Sequence, residues 1–192
     1  FEMTYRPADN LFLLANTSFA QNDLGFAKFD FAERFFELTA YPFSSVTAKA
    51  FYDWAKDELK SETDRKTGGL NFDWEFKPGY ALTVDAQQQK IIRSFGSSFR
   101  EELNNSYLSA TFSKSPVLSL GFALDRSTDP AETDDPATFT EVESDAKYWQ
   151  SVVASFQINM SHEISLFYGS RRGGLVCLSG TCYEVLPFKG LE

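Results

Sequence analysis

Large apolar residues recur at every second position in several stretches of this sequence, and the residues between them are polar. The clearest example is residues 70–76, in which Leu70, Phe72, Trp74 and Phe76 alternate with Asn71, Asp73 and Glu75. Residues 82–87, 108–113, 118–125 and 152–158 repeat this pattern. Successive side chains of a β-strand point to opposite faces, so the alternation predicts strands with one apolar and one polar face.

Turn-forming residues separate the predicted strands, and the predicted connections are short and long in turn. The short ones are residues 7–10, 42–45, 77–79, 114–116 and 160–162, and the long ones are 21–25, 57–69, 94–102, 127–147 and 170–183. This order is typical of up-and-down barrels of the bacterial outer membrane, in which short turns face the periplasm. The sequence therefore predicts an all-β, antiparallel up-and-down transmembrane β-barrel. The alternative is a soluble secreted β-sandwich that binds carbohydrate or protein through its aromatic residues.

Composition and charge agree with a barrel but do not decide between the two. The chain has 20 Phe, 8 Tyr and 3 Trp, yet its mean hydropathy is −0.29, as expected for an apolar outer band around a polar lumen. No stretch approaches the roughly 18 apolar residues of a membrane-spanning helix. The net charge of −9 argues against nucleic acid as a partner, because phosphates bind basic surfaces.

One segment breaks the alternation. In residues 26–41, Phe29 and Phe31 fall on one face of a strand, whereas Phe36 and Leu38 fall on the other. An extra residue near Glu33 would restore a single apolar face, so the sequence predicts a β-bulge there.

The two ends indicate part of a larger barrel. Phe1 already lies inside a strand pattern, and residues 187–192 begin a strand that stops after a few residues. About eleven strand segments are visible, whereas single-chain bacterial barrels normally have an even number. We therefore expect residues 1–192 to be a single barrel domain, incomplete at both ends and corresponding to the C-terminal portion.

The two cysteines predict a disulfide. Cys177 and Cys182 flank a Ser-Gly pair, and a hairpin there brings their Cα atoms within the roughly 4.4–6.8 Å that a disulfide requires. An oxidising compartment would preserve the bond. The alternative is a zinc site with the two cysteines as ligands. The one histidine of the sequence, His162, is too distant to complete such a site.

The C-terminal stretch around these cysteines also carries a resemblance. Residues 171–192, RRGGLVCLSGTCYEVLPFKGLE, resemble the end of a family of uncharacterised outer-membrane β-barrels of Bacteroidota and related phyla. The resemblance implies a barrel in the bacterial outer membrane, and it implies no activity. In that family the last strand continues to an aromatic end, which this sequence lacks.

Candidate sites for chemistry are few. No nucleophile or phosphate loop accompanies His162, which is interpreted as a solvated turn residue, so we expect no catalytic site and no cofactor. The acidic stretch 125–145 is interpreted mainly as a solvated loop, although its carboxylates could hold Ca²⁺. The weak candidate ligands for calcium are Asp129, Asp134 and Asp135. Four acidic residues are predicted to face the lumen and to favour cations, unless neighbouring Lys49 or Arg93 pairs with them: Asp73, Glu75, Asp85 and Asp125.

These expectations together describe a non-catalytic outer-membrane protein. It would act as a pore or transport channel, or as a membrane-embedded subunit of an envelope complex. Its partners would be outer-membrane lipid or lipopolysaccharide, and other envelope proteins in the second case. The residues predicted to face lipid are Phe72, Trp74, Phe76, Leu82, Val84, Leu118, Leu120, Phe122, Ala154, Phe156 and Ile158. The residues predicted to form two aromatic rings at headgroup level are Tyr52, Trp54, Tyr80, Tyr107, Tyr148 and Trp149.

Overall fold

The regular structure of the chain consists of β-strands. The computed structural model describes residues 1–23, 28–57, 63–95, 99–128, 146–159, 162–171, 174–178, 181–185 and 188–191. Its strands are β1 (Glu2–Ala8), β2 (Leu11–Asp23), β3 (Lys28–Phe43), β4 (Val46–Asp57), β5 (Thr63–Lys77), β6 (Tyr80–Phe95), β7 (Phe99–Lys114), β8 (Leu118–Ser127), β9 (Lys147–Asn159), β10 (His162–Arg171), β11 (Gly174–Leu178), β12 (Thr181–Val185) and β13 (Phe188–Leu191). No helix in these ranges combines the length and the hydropathy needed to cross a bilayer.

The strands form an antiparallel up-and-down sheet, as the sequence predicts. Eleven strands follow one another in the order β1 to β10 and then β13, while β11 and β12 form a separate two-stranded hairpin. The predicted closure into a barrel is not observed. Within the described ranges, β1 and β13 are the two outermost strands of the order, and no pairing joins them.

The strands extend further than their apolar residues indicate. Four of the five predicted short turns are present, and residues 160–161 of the fifth lie outside the described residues. However, β5 begins at Thr63, inside the predicted loop 57–69, and β7 begins at Phe99, inside the predicted loop 94–102. The ladder between β4 and β5 continues through polar pairs such as Lys56 opposite Asp64. Backbone hydrogen bonds need no apolar side chain, so the pairing continues where the alternation of hydrophobicity ends.

The chain divides into two compact units, which are described separately. Unit 1 comprises Phe1–Trp74 and Asp85–Asn104, and unit 2 comprises Glu75–Val84 and Asn105–Glu192. Within each unit the side chains of the sheet alternate between two faces. We call the face of unit 1 that carries Leu70 and Phe72, and the face of unit 2 that carries Leu120 and Phe122, the apolar face of that unit, and the opposite face of each its polar face.

The bulge predicted near Glu33 is wrong. The register of β2 with β3 runs without a shift from Leu11 opposite Ala40 to Asp23 opposite Lys28. The register of β3 with β4 shifts only between Ala40 and Phe43, beside the turn. Aromatic residues of β3 therefore remain on the polar face, where the ring of Phe35 stacks on that of Phe51 with centroids 6.3 Å apart. Packing between aromatic rings stabilises these residues on the polar face, so the strand needs no extra residue to turn them to the other face.

Burial is reversed relative to a protein with a central apolar core. The buried residues of the described part are Thr39, Ala55, Leu103, Ser127 and Ser151, and all five lie at polar-face positions. Large apolar side chains on the apolar face, such as Leu70, Phe72, Leu120 and Phe122, are instead exposed.

Candidate functional site

The apolar face of unit 2 is a continuous surface over four strands. Its cross-strand rows are Ala110, Phe122, Val152 and Tyr168; Phe112, Leu120, Ala154 and Leu166; and Leu118, Phe156 and Ile164. Phe122 is 42% exposed, Phe156 is 48% exposed and Ile164 is 58% exposed. Side chains from neighbouring strands lie next to one another in each row, so the exposed residues form one patch rather than isolated positions.

The apolar face of unit 1 has the same character. Its rows include Leu13, Leu38, Ala50 and Leu70, and Ala15, Phe36, Tyr52 and Gly68. Trp74 lies opposite Val46 on this face and is 41% exposed. Phe72 and Trp74 are exposed on the face opposite Asp73, as the alternation predicts, and contact of this face with lipid stays a prediction.

Charged residues lie at both ends of the apolar stretch of β5 and at one end of that of β8. Along β5, the apolar-face positions between Lys66 and Lys77 carry Gly, Leu, Phe, Trp and Phe. Along β8, the stretch that begins at Leu118 ends at Arg126. The β5 stretch is close to the roughly 9–11 residues with which a tilted strand crosses a bilayer.

At the short-turn end of unit 2, three aromatic rings cluster on the apolar face. The ring of Phe76 lies 6.0 Å from that of Tyr80 and 6.2 Å from that of Phe112, measured between centroids. The ammonium groups of Lys77 and Lys114 each lie 5.5 Å from the centroid of the Tyr80 ring. The cluster therefore combines an apolar body with two cations at its border.

In unit 1, aromatic and charged groups meet where β4 ends and β5 begins, away from the short turn between β3 and β4. The guanidinium of Arg34 lies 5.1 Å from the Trp54 ring centroid. The indole Nε1–H of Trp54 donates to Asp64 Oδ1 at 2.8 Å, and Lys66 Nζ is 4.0 Å from Asp64 Oδ2. In unit 2 the equivalent end carries Tyr148 with an arginine guanidinium 6.0 Å from its ring centroid.

Four of the six residues predicted to form aromatic rings at headgroup level lie on the apolar face, and the rings themselves stay a prediction. Tyr52, Trp54, Tyr80 and Tyr148 lie on the apolar face, with Tyr52 44% exposed and Tyr148 59% exposed. The prediction is wrong for Tyr107 and Trp149, which lie on the polar face on either side of Asp125. Tyr107 is in the middle of β7 rather than at its end, because the strand begins at Phe99.

The polar face of unit 1 contains a cavity of about 310 Å³, which the sequence did not predict. Its lining residues are Asn16, Glu33, Phe35, Phe51, Asp53 and Thr67. Asp53 Oδ2 lies 3.1 Å from Arg65 Nη2, and Ser18 Oγ donates to Glu33 Oε2 at 3.3 Å. Asp53 Oδ1 and Arg65 Nε are buried without a hydrogen-bond partner. The pair is thus held by one contact where a guanidinium and a carboxylate could form two.

A glycine makes room for the aromatic wall of this cavity. Gly69 lies opposite Phe51 in the ladder, and a Cβ added to it would be 2.4 Å from Phe51 Cε1. The ring of Phe51 therefore lies directly over Gly69. The sequence contained one sign of this arrangement. Phe51 is a large aromatic residue at a position where the alternation of its strand predicts a polar one.

The four predicted lumen charges have different surroundings. In unit 1, Asp73 lies opposite Thr47, and Asp85 Oδ1 accepts a hydrogen bond from Asn71 Nδ2 at 2.7 Å. In unit 2, Asp125 lies between its two aromatic neighbours on the polar face, whereas Glu75 is exposed beside a turn and accepts the Gly79 N–H at 3.2 Å. Asp73, Asp85 and Asp125 are therefore polar-face residues, and Glu75, which has the same parity as Asp73, is exposed near the end of β5, where it binds the turn.

The polar face of unit 2 is lined by small hydroxylated residues near the short turns. One row contains Ser113, Ser119, Ser155 and Ser165, and the hydroxyl oxygens of the last two lie 3.1 Å apart. At the other end of β10, the guanidinium of Arg171 lies 5.4 Å from the Phe167 ring centroid and 5.6 Å from that of Phe188.

The remaining predicted sites are only partly described. Asp129, Asp134 and Asp135 lie outside the described residues. The side chains of Cys177 and Cys182 also lie outside them, but the backbones of the two cysteines are directly opposite in the β11–β12 register. Residues so paired have Cα atoms about 4.5–5.5 Å apart, within the range for a disulfide, and the disulfide stays a prediction. His162 is exposed, with Nδ1 2.9 Å from Asn159 Oδ1.

Comparison of the chain with protein-family models, with curated protein sequences and with solved structures found no match.

Proposed function

We propose that this chain forms part of an outer-membrane β-barrel, with its apolar face in contact with lipid. One observation carries the proposal: the large side chains of the apolar face are exposed, while the polar face supplies the buried positions. Full transfer of a Phe or Leu side chain from water to an apolar medium is favourable by about 1.5–3 kcal/mol. A face built from rows of such residues is therefore strongly stabilised by a hydrocarbon environment.

A soluble sandwich would have to cover the same face. Sandwiches pack the apolar faces of two sheets about 10 Å apart, so that the large residues interdigitate and lose their exposure. In the described part of the chain, the buried apolar residues are Ala55 and Leu103, both at polar-face positions. The exposed rows of each unit are also bounded by Lys, Arg, Tyr and Trp, the residues that suit the edge of a bilayer.

The polar face supports a role in the passage of small polar solutes. It carries carboxylates, amides and hydroxyls on several neighbouring strands, including Asp73, Asp85 and Asp125. Acidic residues along a water-filled path favour cations. In the second form of this proposal, the sheet is a membrane-embedded subunit of an envelope complex, and no catalytic step is assigned to it in either form.

The three tryptophans of the chain provide the test. Trp74 is on the apolar face, Trp149 is on the polar face, and Trp54 is at the border of the apolar face. Variants that retain one Trp, with Phe replacing the other two, are folded into vesicles whose acyl chains carry bromine. We expect strong fluorescence quenching of Trp74 and little quenching of Trp149, because bromine quenches only indoles in contact with it.

Quenching of Trp74 and Trp149 to the same extent would contradict the proposed facing. A chain that remains folded and monomeric in buffer without detergent, with unquenched Trp74, would favour the soluble β-domain instead.

A further inference from the structure

The aromatic cluster at the short-turn end of unit 2 brings two cations to one ring. Lys77 comes from the end of β5 and Lys114 from the end of β7, yet both ammonium groups lie 5.5 Å from the centroid of one ring, that of Tyr80. The two turns are themselves joined, because the Ser115 N–H donates to the Gly79 carbonyl oxygen at 2.7 Å. The backbone therefore fixes the strand ends from which the lysines extend.

No carboxylate in the described part of the chain forms an ion pair with either lysine. Glu75 is the nearby acidic residue in sequence, and its Oε1 accepts the Gly79 N–H. By contrast, Lys90 in unit 1 forms an ion pair with Glu102. Both ammonium groups lie at the same ring, so an anion at the edge of that ring would be attracted by two positive charges.

Phosphate is the anion that suits this place. Lysine binds phosphate oxygens as a point charge, and two lysines can contact two oxygens of one phosphate group. The rings of Phe76 and Phe112 adjoin Tyr80 on the apolar face, with centroids 6.0 Å and 6.4 Å from that of Tyr80. A ligand that joins a phosphate to acyl chains would contact the cations and the aromatic rings at once.

We propose that Lys77, Lys114 and Tyr80 bind the phosphate of an anionic glycerophospholipid. The inference rests on the proposed function, because it places the apolar face in a bilayer. Short turns of outer-membrane barrels face the periplasm, where the leaflet is made of glycerophospholipid, so the occupant is such a lipid rather than lipid A. The phosphate lies at the edge of the Tyr80 ring, where both lysine side chains can reach it, and the acyl chains follow the apolar face beyond Phe76 and Phe112.

The experiment measures lipid retention on the folded protein in a neutral detergent by native mass spectrometry. The probes are phosphatidylglycerol, phosphatidylcholine, lipid A and inorganic phosphate. The test variant is K77Q/K114Q. The matched control is K49Q/K147Q, which removes the same charge from polar-face positions. Basic residues near an anionic lipid surface each contribute about fivefold in affinity, so the test variant should bind phosphatidylglycerol roughly 25-fold more weakly than the native chain.

The inference is supported if phosphatidylglycerol binds more tightly than phosphatidylcholine and K77Q/K114Q alone removes the difference. Equal weakening by both double variants would overturn it, because the effect would then be one of net charge. Tighter binding of lipid A would overturn the assignment to a glycerophospholipid. Retention of inorganic phosphate as strong as that of phosphatidylglycerol would overturn the assignment to a lipid, because the site would then bind phosphate without acyl chains.

The quenching of Trp74 by brominated acyl chains distinguishes failure of the proposed lysine site from failure of the proposed function. Trp74 quenched in native protein and in K77Q/K114Q, without any preference for phosphatidylglycerol, contradicts the lysine site alone. An unquenched Trp74 in native protein contradicts both.

Discussion

Replacing Phe122 with arginine should prevent stable folding into a bilayer. Phe122 lies on the apolar face of β8, opposite Ala110 and Val152, midway between Leu118 and Arg126. In a bilayer this position is at the centre of the hydrocarbon region. An arginine there costs about 2–4 kcal/mol on the lipid-facing surface of a barrel. At about 1.4 kcal/mol per tenfold, the folding equilibrium falls roughly 30-fold to 700-fold.

Two further variants isolate the cause. Ser119→Arg places the same side chain on the polar face of the same strand, between Ser113 and Ser155, and should cost less than about 1 kcal/mol because the arginine remains hydrated. Phe122→Leu keeps an apolar side chain in contact with lipid and should cost less than about 1.5 kcal/mol.

The assay is reversible urea titration of the chain in lipid vesicles, followed by tryptophan fluorescence. The same variants are compared in detergent-free buffer. Phe122 is 42% exposed, so a protein that folds in water should tolerate arginine there with little loss. The reasoning is refuted if Ser119→Arg costs as much as Phe122→Arg in vesicles, or if Phe122→Arg folds in them normally.

Three other predictions concern the polar face and the hairpin. Gly69→Val should destabilise the sheet by about 1–3 kcal/mol in urea titration, because the new side chain overlaps the ring of Phe51. Phe51→Ala in the same chain should recover most of this loss, whereas additive losses from the two substitutions would contradict the overlap. Asp85→Asn should move the reversal potential of a reconstituted channel toward anions, and an unchanged potential would exclude Asp85 from the path. Cys177 and Cys182 should resist alkylation in protein from native membranes until a reductant is added, whereas rapid labelling of two free thiols would refute the disulfide.

The faces of the strands could be predicted from the sequence because side-chain alternation is a local property of the backbone. The facing of Phe72 and Asp73 followed from counting residues within one strand, without knowledge of any neighbour. Tyr107 and Trp149 were predicted as ring residues near strand ends, and the structure places both on the polar face. Counting from Leu108 and Val152 along their strands gives the polar face for both, so alternation is the better guide at these two positions.

Strand limits were predicted less well. The polar residues that open β5, such as Asp64 and Lys66, look like a loop in the sequence because they carry no apolar alternation. They belong to the strand because β4 supplies backbone partners for them, and that pairing depends on a neighbour rather than on the residues themselves. The bulge expected near Glu33 failed for a related reason. Aromatic side chains of β3 and β4 pack together on the polar face, so no change in parity is needed.

The sequence by itself determined that the chain is all-β, antiparallel and amphipathic, because a period of two and tight turns are fixed by residues close together in the chain. Tertiary structure alone decided which side chains meet across strands. The cavity beside Asp53 and Arg65 joins β4 to β5, and the site at Tyr80 joins Lys77 to Lys114 across the ends of β5 and β7. Such meetings depend on register, which is set by hydrogen bonds between segments far apart in sequence, and a shift of one residue would turn every side chain to the other face.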